Sequence, residues 1–176
     1  MPYDDQLGEV LRDGERIGLR YVREFAHPIE RVWRALTESE QLRHWMPCDI
    51  VGERRAGAKL ELPFWPENVE GYHLEDDPVL YGEIEVWDPP RRFDWTWDGD
   101  RLSFVLAETV TGTRLEFTTW LGEPDPDGAA SAASGYHVCF EALRALLEGR
   151  PGPSIEEADR WAEQLGPAYT AAVAGD

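Results

Sequence analysis

Apolar residues recur along this chain with two periods, and each change of period marks an element. Residues 19–25 (LRYVREF) read as a strand, preceded by a polar lead-in over 1–17 with only a marginal strand before Gly18. His27-Pro28 breaks the strand, and Pro28 suits the first turn of a helix, where its missing N–H costs nothing. Ile29, Trp33 and Leu36 follow at i, i+4 and i+7 with Val32 beside them, the stripe of an amphipathic helix. A second short helix starts at once. Thr37 and Glu40 form a T-x-x-E capping pair, Leu42 and Trp45 face inward, and Pro47 stops it.

Between residues 50 and 121 the period drops to two. Val51-Gly52 and residues 59–62 are short strand candidates, and 63–78 (PFWPENVEGYHLEDDP) reads as a long loop with proline at both ends. Strands follow over 79–87, 93–97, 101–110 and 113–121, separated by Pro89-Pro90, Asp98-Gly99 and Thr111-Gly112. A Pro/Asp/Gly linker at 122–128 then leads into the longest helix, with Tyr136, Phe140, Leu143 and Leu147 on one stripe and Gly149 and Pro151 ending it. The tail, 151–176, holds one more short helix. Ser154 and Glu157 cap it, Ile155, Ala158, Trp161 and Leu165 form its apolar face, and Gly166-Pro167 ends it. The order predicts an α+β domain over 18–150: an antiparallel sheet curved around a long C-terminal helix, with two short helices after the first strand.

Composition narrows the function. The chain has 176 residues and 8 Trp, enough for a sizeable core, and a formal net charge of -18 that repels nucleic acid and anionic membrane surfaces. Cys48 and Cys139 are far apart in sequence and fit no metal spacing. With an acidic, non-signal N-terminus and no membrane-length apolar run, they point to two free thiols and a cytoplasmic protein. The chain holds no nucleophile elbow, Walker loop, GxGxxG or zinc spacing, so no cofactor or metal is expected. His73 opens HLEDD, but Asp76 and Asp77 have no second histidine at ligand spacing.

Four segments in this order resemble the START-like (SRPBCC) superfamily of helix-grip domains, in the branch named after the activator of the heat-shock-protein-90 ATPase. They are REFAHPIERVWRALTESEQLRHW (23–45), YGEIEVWDPPRRFDWTW (81–97), TRLEFTT (113–119) and GYHVCFEALRALLEG (135–149). The chain departs from that branch at Thr119, where histidine is common, and at Tyr136, where tryptophan is. The resemblance implies a pocket between sheet and long helix. Trp45 is then expected near its rim, with Trp95, Trp97, Phe104, Phe117 and Phe140 as its walls. The small residues at 129–135 leave room beside them.

The polar candidates are those in phase with apolar faces. Arg23 can orient an anionic ligand or form a strand-end ion pair; Glu108 can pair with it or lie solvated near its turn. Thr119, Tyr136 and His137 complete the set, with His137 at the pocket mouth. Three functions remain. One is a non-catalytic domain holding a hydrophobic small molecule. Another is a cyclase/aromatase-like enzyme of polyketide-type chemistry, using His137, Tyr136, Arg23 or Glu108 to move protons. The third is a chaperone-associated protein partner.

Overall fold

The period-2 segments join one seven-stranded antiparallel sheet in the computed structural model, which describes residues 6–71, 74, 78–122 and 125–175. The strands are β1 (Glu9–Asp13), β2 (Arg16–Phe25), β3 (Lys59–Pro63), β4 (Val79–Asp88), β5 (Arg92–Trp97), β6 (Asp100–Glu108) and β7 (Thr113–Trp120), in the order β1-β2-β7-β6-β5-β4-β3. The helices are α1 (Ile29–Thr37), α2 (Ser39–Leu42), α3 (Pro66–Gly71), α4 (Pro126–Leu147) and α5 (Ile155–Ala174). This is the helix-grip architecture expected, with the sheet gripping α4.

Alternation decides which face is inside. Leu19, Tyr21 and Phe25 of β2, Leu102, Phe104 and Leu106 of β6, and Leu115 and Phe117 of β7 are all buried. Tyr21, Phe117 and β6 meet in register, with Tyr21 opposite Phe117 and Phe117 opposite Phe104. α4 lies on this face. Phe140 packs 5.2 Å from Phe117 between ring centroids, and Tyr21 Oη donates to Ala133 O at 2.5 Å. Each such ring contributes about 1.5–3 kcal/mol on burial. At one end α1 inserts Trp33 against Trp87 and Phe93, and Trp45, following α2, donates from Nε1 to Ala35 O at 2.8 Å.

Some local expectations change. Part of the polar lead-in forms β1, so the two short helices follow the second strand of the chain. Gly14, at φ 62, makes the turn, and Arg20 then bonds Glu9 across the pair. The cap of α2 is Glu38 with no side-chain bond, because Thr37 Oγ1 donates back to Trp33 O at 2.8 Å. The segment 63–78 contains the short helix α3, while His73, Asp76 and Asp77 lie outside the described residues.

The largest change is in the tail. α5 runs through Gly166-Pro167 for 20 residues, although Pro167 has no N–H to donate to the preceding turn. Burial outweighs that loss: Leu165, Tyr169 and Val173 recur at i, i+4 and i+8 and are all buried. Tyr169 Oη accepts from Gly8 N–H at 2.7 Å, and Arg12 donates to Val173 O. The capping box of Ser154 and Glu157 is present as expected.

Candidate functional site

Between α4 and the first half of α5 lies a groove of about 750 Å³. Its remaining walls are residues 43–47, the exposed side of α3 and the tip of the β5–β6 hairpin. The space exists because α4 carries small residues where it would otherwise fill it. Ser131, Ala132 and Gly135 line the groove, and a Cβ on Gly135 would meet nothing within 4 Å. Opposite them, Ile155, Ala158 and Ala162 of α5 add apolar wall.

Aromatic side chains form the inner end. Trp45 is buried against Phe104 and Phe140 and still lines the groove. Trp97 lines it from the end of β5, and its buried Nε1 has no acceptor among the described residues. Tyr136 enters from α4 with its phenol pKa raised, first by burial and then by the charge of Asp100, against a smaller lowering by Thr119. Cys139 also lines the groove, and burial pushes its thiol up to about 12. The buried Cys48 thiol is likewise at about 12, by burial and then by Cys139. Neither cysteine is in a disulfide.

The charged groups lie in two places. At the rim, Arg43 pairs with Glu67 and covers the Trp65 ring at 5.3 Å; the Arg43 bond holds the Glu67 carboxyl below its ordinary range. At the inner end, Asp100 accepts from Gly122 N–H at 2.8 Å. Its pKa is raised, first by burial; the Gly122 bond works against this and the charge of Asp98 adds to it.

The structure therefore divides the expected site residues. Trp45, Trp97 and Tyr136 come together in the groove, with Thr119 fully buried behind Tyr136. Trp95, Phe104, Phe117 and Phe140 do not reach it. Phe117 packs on Phe104, Phe140 and Tyr21, and Trp95 packs on Phe93 and Trp97, so these four expected wall residues sit in the hydrophobic core. Arg23 is buried outside the groove, donating to Val22 O and Gln6 O at 3.0 Å and covering Tyr21. Glu108 is exposed at the end of β6, beside the start of α1, and His137 turns toward α5, with Nδ1 2.7 Å from Tyr169 Oη.

Sequence reasoning missed Asp100, Cys139 and the α5 wall. Asp100 was hidden in a turn signal, DGD, and the apolar face of the tail helix, with Ile155 and Ala158, carried no local sign that it would pack opposite α4. The small-residue run at 129–135 was the available signal. Among the described residues no cluster of His, Cys, Asp or Glu is arranged for a metal ion, and no helix is long and apolar enough to cross a membrane.

Comparison with known proteins agrees with the architecture. The profile of the family described as "Activator of Hsp90 ATPase homolog 1-like protein" matches residues 26–148. Among solved structures, CalU16 from Micromonospora echinospora superposes with a TM-score of 0.68 at 18% identity, covering 95% of this chain and 96% of that one. MLL2253 from Mesorhizobium loti gives 0.62 at 24% identity, over 75% of this chain and 97% of that one. EF2215 from Enterococcus faecalis, a conserved protein of unknown function, gives 0.66 at 17%, over 91% of each chain. At these identities the likeness is one of fold. No curated protein sequence matches the chain.

Proposed function

The chain belongs to the Activator of Hsp90 ATPase homolog 1-like protein family, and from that premise we propose that it binds an apolar or amphipathic small molecule without catalysing a reaction on it. The family supports a ligand-binding type of domain in general. The observation that carries the finer reading is the groove itself: about 750 Å³ between α4 and α5, with small residues on one side and Trp45, Trp97 and Tyr136 at its end. That volume and lining suit a small organic molecule.

Several features support binding over catalysis. The Cys139 thiol, at about 12, and the Tyr136 phenol both keep their protons at neutral pH, so neither is an activated nucleophile or base. Glu67 is tied to Arg43. Of the residues expected to move protons in a cyclase/aromatase-like mechanism, His137 faces Tyr169, and Arg23 and Glu108 lie outside the groove. A cytoplasmic location is part of the reading and is supported by the free thiols of Cys48 and Cys139.

Native mass spectrometry of the freshly purified protein tests the proposal. The expected result is a co-purified adduct, or a rise in melting temperature with lipophilic compounds that compete for one site. If no adduct forms and no compound of this class shifts the melting temperature, the proposal fails.

A further inference from the structure

Asp100 is an unusual group to find at the end of an apolar groove. Its carboxylate is partly desolvated, yet the one hydrogen bond it accepts among the described residues comes from a backbone amide, Gly122 N–H. Among the described residues no arginine or lysine forms an ion pair with it. A half-buried carboxylate normally has such a partner, because desolvation penalises an uncompensated charge. The arginine in the groove lining, Arg43, is already held by Glu67 at the rim.

The neighbours of Asp100 fit a particular partner. Trp97 and Asp100 are opposite one another at the end of the β5–β6 hairpin, so their side chains leave the same face of the sheet. Tyr136 is close enough on α4 for the Asp100 charge to act on its phenol. A carboxylate flanked by aromatic rings is the arrangement that recognises an ammonium group: the carboxylate takes its charged hydrogen bonds and the rings offer their negative faces. Asp159 stands exposed at the groove's α5 edge, and the formal net charge of -18 adds a long-range attraction of the same sign.

We infer that the groove takes a molecule with an apolar body and a protonated amine, the amine seated on Asp100 beside Trp97 and Tyr136. This deepens the binding proposal and rests on it. The apolar body would occupy the side lined by Gly135, Ala158 and Ala162, with Asp159 exposed at its edge.

Isothermal titration with three matched probes tests it: naphthylethylamine, naphthylethanol and naphthylpropionate, near neutral pH at about 0.15 M salt. The amine should bind about tenfold tighter than the alcohol, the scale of a charge-assisted hydrogen bond, and the propionate weakest. Asp100→Asn keeps an oxygen for Gly122 N–H, so the fold is retained. It should bring the amine down to the level of the alcohol and leave the alcohol unchanged. Glu108→Gln, a carboxylate lost away from the groove, should change none of the three. Equal binding of amine and alcohol overturns the inference and leaves the groove as an apolar site. So does an advantage of the amine that survives Asp100→Asn, because general attraction to the acidic surface then explains it. If none of the three probes binds and native mass spectra are also empty, the groove proposal falls with it.

Discussion

His137 Nδ1 lies 2.7 Å from the Tyr169 hydroxyl, joining α4 to α5 inside the protein. The same hydroxyl accepts from Gly8 N–H at 2.7 Å, so one phenol oxygen links the long helix, the tail helix and the segment before β1. Tyr169→Phe removes the oxygen and keeps the ring. Two buried groups then lose this partner, at about 1–3 kcal/mol for each that finds no other. Urea denaturation should register a loss in that range, and hydrogen exchange should quicken in α5 before the central strands. An unchanged midpoint would mean that apolar packing alone holds the tail.

Gly135 offers a way to close the groove without disturbing the fold. It is helical, and a Cβ there meets open space. Gly135→Leu should keep or raise the melting temperature, since glycine costs a helix about 1 kcal/mol relative to good helix formers. Binding of any groove ligand should be lost. Retained affinity in this variant would move the site elsewhere.

Phe117 separates core from groove in the opposite sense. It is fully buried against Phe104 at 4.7 Å and Tyr136 at 5.0 Å. Phe117→Ala should cost about 3–5 kcal/mol by leaving a cavity. A milder Phe117→Leu should weaken stability while ligand affinity stays close to wild type. Selective loss of affinity with normal stability would return Phe117 to the binding wall.

On the outer face of the sheet, Glu116 accepts from Arg20 at 2.9 Å and from Arg114 at 3.1 Å. These bonds, that of Arg20 first, hold its pKa below the ordinary 4.5. A lowered carboxyl stabilises the fold above its unfolded pKa, and the contribution fades as the pH falls through the folded value. With Glu116 31% exposed, solvent reduces the effect to about 0.5–1 kcal/mol. Wild type should exceed Glu116→Gln by that amount at neutral pH and match it well below pH 4.5. A difference that is constant with pH would assign the effect to packing.

Legibility in the sequence followed the range of the interactions. Alternation along 101–106 gave β6 and its inner face, and the i, i+4 stripe of Tyr136 and Phe140 gave the face of α4, because both depend on near neighbours. The groove depended on contacts between residues far apart in sequence. Nothing local at Gly166-Pro167 announces that Tyr169 will reach Gly8 and carry the helix through the proline. An aromatic face such as that of Phe104 and Phe117 is by itself more often core, and the resemblance favours a cavity wall; Phe140 of α4, packed on Phe117 and Tyr21, sits with them in the core. Asp100 looked like the third residue of a turn until β5 brought Trp97 beside it.

The family profile ends at residue 148, and α5 begins at Ile155. The groove therefore has one wall inside the family segment and one wall outside it. Changes at Ile155, Ala158 or Ala162 can reshape the opening while the rings that hold the sheet on α4 stay as they are. The α5 side of the lining and the grip of the sheet on α4 are in this way written on separate stretches of chain. In the binding reading proposed above, that side of the opening is where a lineage could alter what the groove accepts at little risk to the grip, and where an engineer could graft a new lining first.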